Sequence, residues 1–281
     1  MSTRQEDFIN RETGEILTGD EIMNIIKDES VSVQGKKIRR SNTQMTKEFG
    51  NYFHCYYGKV LSLNMDNQHL VRFLYLCTSL DYNKYIVSGY GKGRVKYKES
   101  DLQEILKLGK TEFYKTKLEL KKHNLIIIDE NKNIKVNEDY ILKGSINSKG
   151  ENTIKAEVVR MFDNAIKEIY ESASAIEHKK IGSLIRLLPY INIHHNLVCK
   201  NPEEKDIQNI IPFKISEIAE LLGYKNITRL KKDLFNITVG GEKTFILIED
   251  DYGKFFVVNP RVYCKSNEME GLMAISNYFR K

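Results

Sequence analysis

Apolar positions recur along this chain in the same order twice. Leu70, Phe73, Leu74, Leu76, Cys77 and Leu80 fall at helical spacing, and Ile181, Leu184, Ile185, Leu187, Leu188 and Ile191 repeat the pattern at an offset of 111. Each run then meets a short apolar pair, Ile86-Val87 or Leu197-Val198. Leu102 to Leu106 answers Ile218 to Leu222 at an offset of 116, and Ile134-Lys135-Val136-Asn137 answers Phe256-Val257-Val258-Asn259 at 122. The drift falls in expected loops, where duplicated domains tolerate insertion. Both segments, Leu70 to Gly144 and Ile181 to Ser266, read as a helix, a helix-turn-helix and a β-hairpin. A long internal period governs the architecture. It predicts an α+β, mainly α fold with two tandem winged-helix domains joined by a helical linker.

The expected divisions follow from the same pattern. Residues 1–48 read as a polar and basic N-terminal arm, extended or weakly ordered, and 49–146 as the first winged-helix domain, with the aromatic-rich Phe49 to Leu63 leading in as a strand or irregular segment. Residues 147–177 read as a linker and an amphipathic helix, placed from Ile154 to about Ala175 by Val158, Met161, Phe162, Ala165, Ile169 and Tyr170. That helix either bridges the domains or dimerises. The second domain spans 178–268 and a tail 269–281.

The chemistry expected of the pattern is carried by two helix-turn-helix candidates. In the first, Asp101 to Leu108 forms a helix, Gly109 supplies a turn of positive φ, and Thr111 to His123 forms the second helix, with Phe113, Leu118 and Leu120 inward. Its outward candidates for DNA contact are Lys110, Thr111, Tyr114, Lys115, Lys117 and Lys121, beside Glu112. In the second, Ser216 caps a helix through Leu222, Gly223 turns the chain, and Asn226 opens a helix with Ile227, Leu230 and Leu234 inward. Tyr224, Lys225, Asn226, Thr228, Arg229 and Lys232 are its DNA-binding candidates, with Lys231 also outward. Arg229 and Asn226 are the types suited to bidentate reading of guanine and adenine edges. Two further basic elements are the cluster Lys36, Lys37, Arg39 and Arg40, an arm suited to a minor groove, and the glycine-rich loop Gly89 to Lys98. The expected wing tips, Asp129 to Asn133 and Glu249 to Gly253, are partly acidic and poor partners for phosphate.

Composition narrows the picture only slightly. The 281 residues suffice for two domains, and 44 basic against 38 acidic residues leave a formal charge of +6, a mild excess. No apolar run is long enough to span a membrane and the first ten residues are polar, so a cytoplasmic protein with no membrane partner is expected. Cys55, Cys77, Cys199 and Cys264 are scattered and read as reduced thiols. Gly109-Lys110-Thr111 lacks the upstream glycine of a phosphate-binding loop, since Glu104 stands there, and the adjacent His194 and His195 lack metal-ligand spacing. No nucleophile elbow or carboxylate pair stands out. The expectation is a non-enzyme with no cofactor and no metal.

In its two endings, NIKVNEDYILKG and FFVVNPRVYCKS, the chain resembles the winged-helix replication-initiation proteins of bacterial plasmids and phages, either the RepL-like group or the larger two-domain Rep initiators. The resemblance covers about residues 50–144 and 179–266. It departs from the pattern at Glu138, where Pro is usual, and at Ser266, where Gly is expected. The resemblance implies binding of double-stranded DNA at origin repeats and recruitment of host replication proteins. A homodimer is compatible with it. A transcriptional regulator of the same build, or a winged-helix protein-protein interaction module, are the alternatives.

Overall fold

The computed structural model describes residues 41–89, 91–144, 146, 157–250 and 253–280. Helix α1 covers residues 41–49. There follow β1 (Tyr52–Tyr56), α2 (Tyr57–Ser62), α3 (Asn67–Cys77), the pair β2 (Val87–Ser88) and β3 (Val95–Lys96), α4 (Leu102–Ile105), α5 (Lys110–Lys122), the hairpin β4 (Ile126–Ile128) and β5 (Ile134–Val136), and β6 (Ile141–Leu142). A second half runs β7 (Val158–Phe162), α6 (Asp163–Glu171), α7 (His178–Ile185), α8 (Ile215–Leu221), α9 (Ile227–Leu234), the pair β8 (Thr238–Val239) and β9 (Glu242–Lys243), the hairpin β10 (Phe245–Asp250) and β11 (Gly253–Val258), and β12 (Tyr263–Cys264). Helix α10 (Met269–Phe279) closes the described chain. The fold is mixed α and β, with small antiparallel sheets. The chain divides into two units, Met1–Lys47 and Glu48–Lys281.

Within the larger unit the two halves share one sheet, in the order β12-β7-β1-β6. Its central strands run antiparallel, with Tyr52 opposite Phe162, His54 opposite Arg160 and Tyr56 opposite Val158. The outer strands repeat a single register: His54 faces Leu142 and Cys55 faces Ile141, as Arg160 faces Cys264 and Met161 faces Tyr263. Superposing these pairs sets β7 on β1 at an offset of 106 and β12 on β6 at 122. The pair His54–Arg160 then maps onto itself. A pseudo-two-fold axis therefore passes through it, normal to the sheet.

The same operation relates the rest of the two halves. α7 begins 111 residues after α3, and these equivalent helices pack on each other. Across their crossing the Asn67 amide donates to Ser183 Oγ (3.3 Å), and its symmetry mate is Arg72 Nε donating to His178 Nδ1 (3.4 Å). Approach is close because Gly182 faces Asn67, and a Cβ built on the glycine would stand 2.4 Å from Asn67 Cβ. Each hairpin is tied to the segment after its first long helix by matched backbone bonds. Ile86 donates to Ile134 (3.0 Å) and Val136 to Lys84 (2.8 Å), as Val198 donates to Phe256 (2.8 Å) and Val258 to Asn196 (3.2 Å). Lys84 and Asn196 both take the left-handed conformation there. Each hairpin ends in the same side-chain turn, with Asn137 Oδ1 accepting from the Asp139 amide and Asn259 Oδ1 from the Arg261 amide, both at 3.0 Å.

Several expectations need correction. The helix expected from Ile154 to Ala175 is a strand followed by a helix, β7 and α6, so the expected linker 147–177 contributes the second half's counterpart of β1 and α2. Apolar Val158, Val159, Met161 and Phe162 mimic helical spacing, but three of them are buried between β1 and β12, which is what a central strand requires. The described end of the expected arm is helical, in α1, whereas Lys36, Lys37, Arg39 and Arg40 lie outside the described residues. Most of the segment 145–156 does so too. The C-terminal tail is α10, whose Phe279 joins Leu197, Cys199, Ile210, Phe255 and Val257 in one apolar cluster on the second hairpin. The glycine-rich loop is organised as β2, a short turn and β3.

Candidate nucleic-acid interface

Each half carries a pair of helices joined by a tight turn, α4 with α5 and α8 with α9, and each second helix rests on the central pair. Thr116 of α5 bonds His69 (3.1 Å) and Arg72 (2.8 Å) of α3. At the equivalent place on α9, Asp233 lies 3.8 Å from Lys180 and 3.3 Å from the hydroxyl of Tyr224, which also bonds Ser183 of α7. α3 offers His69 and Arg72 to α5 and turns Leu70, Leu74 and Cys77 the other way round the helix, where Cys77 lies within electrostatic reach of Cys55 in the sheet. Helices α5 and α9 therefore rest on equivalent faces of α3 and α7.

The first turn is built differently from expectation. Lys107, not Gly109, takes the left-handed conformation (φ 51°), and Gly109 is extended as the residue before α5. A lysine tolerates this conformation at some strain. Leu118, expected inward, is 68% exposed beside Tyr114 at 57%. The lysines are largely engaged. Lys117 and Lys121 both reach Glu99 (2.8 and 2.5 Å), whose carboxyl they hold down to about 2, Lys115 reaches Glu112 (3.3 Å) and Lys122 reaches Glu119 (3.3 Å). Glu112 itself faces inward enough to pair with Arg72, fully buried, at 3.0 Å, which lowers the Glu112 carboxyl below its ordinary range. Thr111 and Lys110 are exposed, and Lys110 has no carboxylate partner among the described residues.

The second turn follows the expected plan more closely. Gly223 takes φ 70°, its amide bonds Glu220 and that of Tyr224 bonds Ala219 (2.7 Å), which closes α8. Ser216 is not the cap, because α8 starts one residue earlier and Glu217 accepts from the Lys214 amide (2.7 Å). Asn226 does open α9, with its Oδ1 accepting from the amides of Thr228 (2.8 Å) and Arg229 (3.2 Å). That oxygen is thereby committed to the helix, which leaves only the amide NH2 to face outward. Tyr224 is also turned inward, to Ser183 and Asp233. Ile227, expected inward, is 40% exposed, whereas Leu230 and Leu234 are buried. Lys225, Thr228, Lys231 and Lys232 are exposed, and no carboxylate pairs with the three lysines among the described residues. Arg229 touches Asp233 at 3.4 Å with its side chain 71% exposed.

Two acidic groups of the hairpins, Asp129 and Glu249, are engaged as well. Asp129 accepts from the Asn133 amide (2.8 Å) and side chain (3.0 Å) and so shapes its own turn. In the second hairpin Glu249 pairs with Lys254 across the strands (3.0 Å), while Asp251 and Tyr252 lie outside the described residues.

Residues that sequence reasoning misses sit between the halves. Arg72 lies inside an apolar helix and bonds His178, Glu112, Thr116 and the Ala175 carbonyl (3.2 Å). Tyr75 stacks on Tyr170 (3.8 Å between centroids), which stacks on His178 (4.0 Å). Lys143 reaches Asp163 across the axis (2.5 Å), and the mate of that pair is Lys265 over the ring of Tyr57 (4.5 Å). The signal in the sequence is a charge within an otherwise apolar run, at Arg72. Adjacent His194 and His195 share a turn held by Asn192 Oδ1, which accepts from both amides at 2.9 Å. All four cysteines are free and buried. Among the described residues no cluster of three His, Cys, Asp or Glu is placed to hold a metal, and no helix is long and apolar enough to cross a membrane. Compared with known proteins, the chain matches no family model, no curated protein and no solved structure.

Proposed function

We propose that this chain is a sequence-specific double-stranded DNA-binding protein built from two fused winged helices, acting as a plasmid or phage replication initiator. The observation that carries the reading is α9: a capped helix on a rigid support that presents Arg229, Lys231 and Lys232, with Thr228 and Lys225, to solvent on one face. Exposed cations on a helix held at the end of a tight turn suit the major groove and its flanking phosphates. The hairpins β4-β5 and β10-β11 follow α5 and α9 as wings follow a reading helix. The molecule acts by binding, with host replication proteins as its partners.

A second reading attaches to the first half alone. Four lysines of α5 are engaged by carboxylates while Tyr114 and Leu118 are exposed, which favours a protein contact there. A transcriptional regulator shares the same DNA-binding physics. Selection of genomic duplex fragments by the purified chain, followed by salt titration of the best site, tests the proposal. A defined motif is expected, with a negative salt slope and a loss of about 1–3 kcal/mol at one base step for Arg229→Ala, against a uniform weakening for Lys232→Ala. An absence of enrichment refutes DNA binding, and maintenance of a circle bearing the site separates initiator from regulator.

A further inference from the structure

The internal rotation reproduces shape more closely than charge. α9 begins 117 residues after α5, so Arg229 stands where the first half has Glu112. The contrast is larger in the loops that precede α4 and α8. Val87 pairs with Lys96 as Cys199 pairs with Pro212, and Tyr97 donates to the Ile86 carbonyl (2.9 Å) as Phe213 donates to that of Val198 (3.5 Å). These matches set an offset of 112 before each loop and 116 after it, so the second loop is four residues longer.

The first loop is a basic tip. Residues 89–98 hold Lys92, Arg94, Lys96 and Lys98 and no carboxylate. Arg94, Val95 and Lys96 are exposed, and a Cβ built on Gly91 or Gly93 would meet nothing within 4 Å, so the turn stands in open space. Lys96 lies 3.5 Å over the Tyr85 ring, and no carboxylate pairs with Arg94 or Lys96 among the described residues. The second loop is an acidic hollow. It carries Glu203, Glu204 and Asp206 against Lys205, and residues 201–205 line an open cavity of about 660 Å³. Glu204 accepts from the amides of Lys205 (2.8 Å) and Asp206 (2.9 Å), which holds the hollow in shape, while Glu203 is exposed and pairs with no cation among the described residues. Val95 and Ile211 are equivalent at the offset of 116, and both are exposed, at 64% and 53%. Asn201 of the hollow accepts from the Ile211 amide (2.9 Å), so that apolar side chain borders the acidic one as Val95 borders Arg94.

We infer that each loop docks on a second copy of this chain, with the basic tip of one copy seated in the acidic hollow of the next, Arg94 against Glu203 and Val95 against Ile211. Like charges keep tip from tip and hollow from hollow, so the contact joins unlike surfaces. The half-turn within each molecule sets its tip and its hollow on opposite sides of the axis. A heterologous contact of this kind leaves one tip and one hollow free, and it extends as an open chain of copies. The surface offered is small and its ion pairs are exposed, so the association is weak and is lost at high salt. It needs no DNA and stands apart from the duplex-binding reading.

Sedimentation velocity of the full-length chain, without DNA, tests this. At low salt, species larger than a dimer are expected as concentration rises, with return to the monomer at high salt. Arg94→Glu reverses the tip and Glu203→Arg the hollow, and neither native side chain makes a hydrogen bond or ion pair among the described residues, so both variants should match the wild type in urea unfolding. Alone, each variant should drop to the monomer. Mixed in equal amounts they should regain the large species, because each then presents the tip that the other's hollow accepts, a recovery that two merely damaged surfaces would not give. A wild type that stays monomeric to its solubility limit overturns the inference, and so does one that stops at a dimer. Association that survives in both single variants, or a mixture that remains monomeric, overturns it equally.

Discussion

Gly182 offers a sharp test of how the two halves are joined. In Gly182→Ala the new Cβ stands 2.4 Å from Asn67 Cβ, 2.6 Å from Asn67 O and 2.8 Å from Asn67 Cα. Carbon atoms in contact prefer about 3.5–4.0 Å, so relief requires roughly 1 Å of separation between α3 and α7. Two of the obstructing atoms are backbone, so no side-chain rotation provides it. Overpacking of this kind costs about 1–3 kcal/mol, and the bonds Asn67–Ser183 and Arg72–His178 across the same crossing are stretched with it. Against this stands the ordinary gain of about 1 kcal/mol when alanine replaces glycine within a helix. With the stretched bonds counted beside the overpacking, we expect a net loss of about 2 kcal/mol. Gly271 in α10 is the control, since a Cβ there meets nothing within 4 Å. Gly271→Ala should therefore stabilise by about 0.5–1 kcal/mol, which makes the two identical substitutions opposite in sign. Urea unfolding followed by circular dichroism reads both. If Gly182→Ala matches or exceeds the wild type, the close crossing is not how the halves meet.

Three further outcomes follow from the geometry. Glu99→Gln releases Lys117 and Lys121, so binding to non-specific duplex should tighten and its salt dependence steepen; an unchanged salt slope would show that α5 stays off DNA. Asn226→Ala should cost about 1 kcal/mol of stability through the lost helix cap, whereas Asn226→Asp keeps the cap, so a DNA-binding defect shared by both variants after correction for folding marks a role for the amide NH2. Burial pulls the Lys265 ammonium down to about 8, so above that pH the folded chain has released a proton that the unfolded chain retains. Stability should rise with pH from about 8 to 10 and Lys265→Met should flatten the rise in urea titrations, a reasoning refuted by an equal slope in both proteins.

The parts of the fold visible in the sequence are those where burial alone decides residue type. The offsets 111 and 122 persist because α3, α7, β5 and β11 bury the same faces in both halves. Asn137 and Asn259 are visible as matching letters, although their shared role in a turn emerges only in three dimensions. β7 is not visible, since five residues with four apolar positions fit either period and only its neighbours β1 and β12 decide between them. The basic face of α5 is overread for a related reason. Sequence places Lys117 and Lys121 on one side of a helix, but it does not show that the turn before α4 brings Glu99 between them. α9 has no such neighbour for Lys231 or Lys232 among the described residues, so its sequence reading and its geometry stay close.

The shared sheet has a consequence for how such a molecule responds to dilution. Two separate subunits assembled through β1 and β7 would come apart as their concentration fell, and any activity requiring both would vanish below the dissociation constant. Here the connection from β6 to β7 holds the partners at a fixed effective concentration, so the pairing survives at a single copy per cell. Covalent fusion also frees each partner from the other's mutations. A change at Glu112 need not be repeated at Arg229, so one half can engage its charge with a buried partner while the other exposes it.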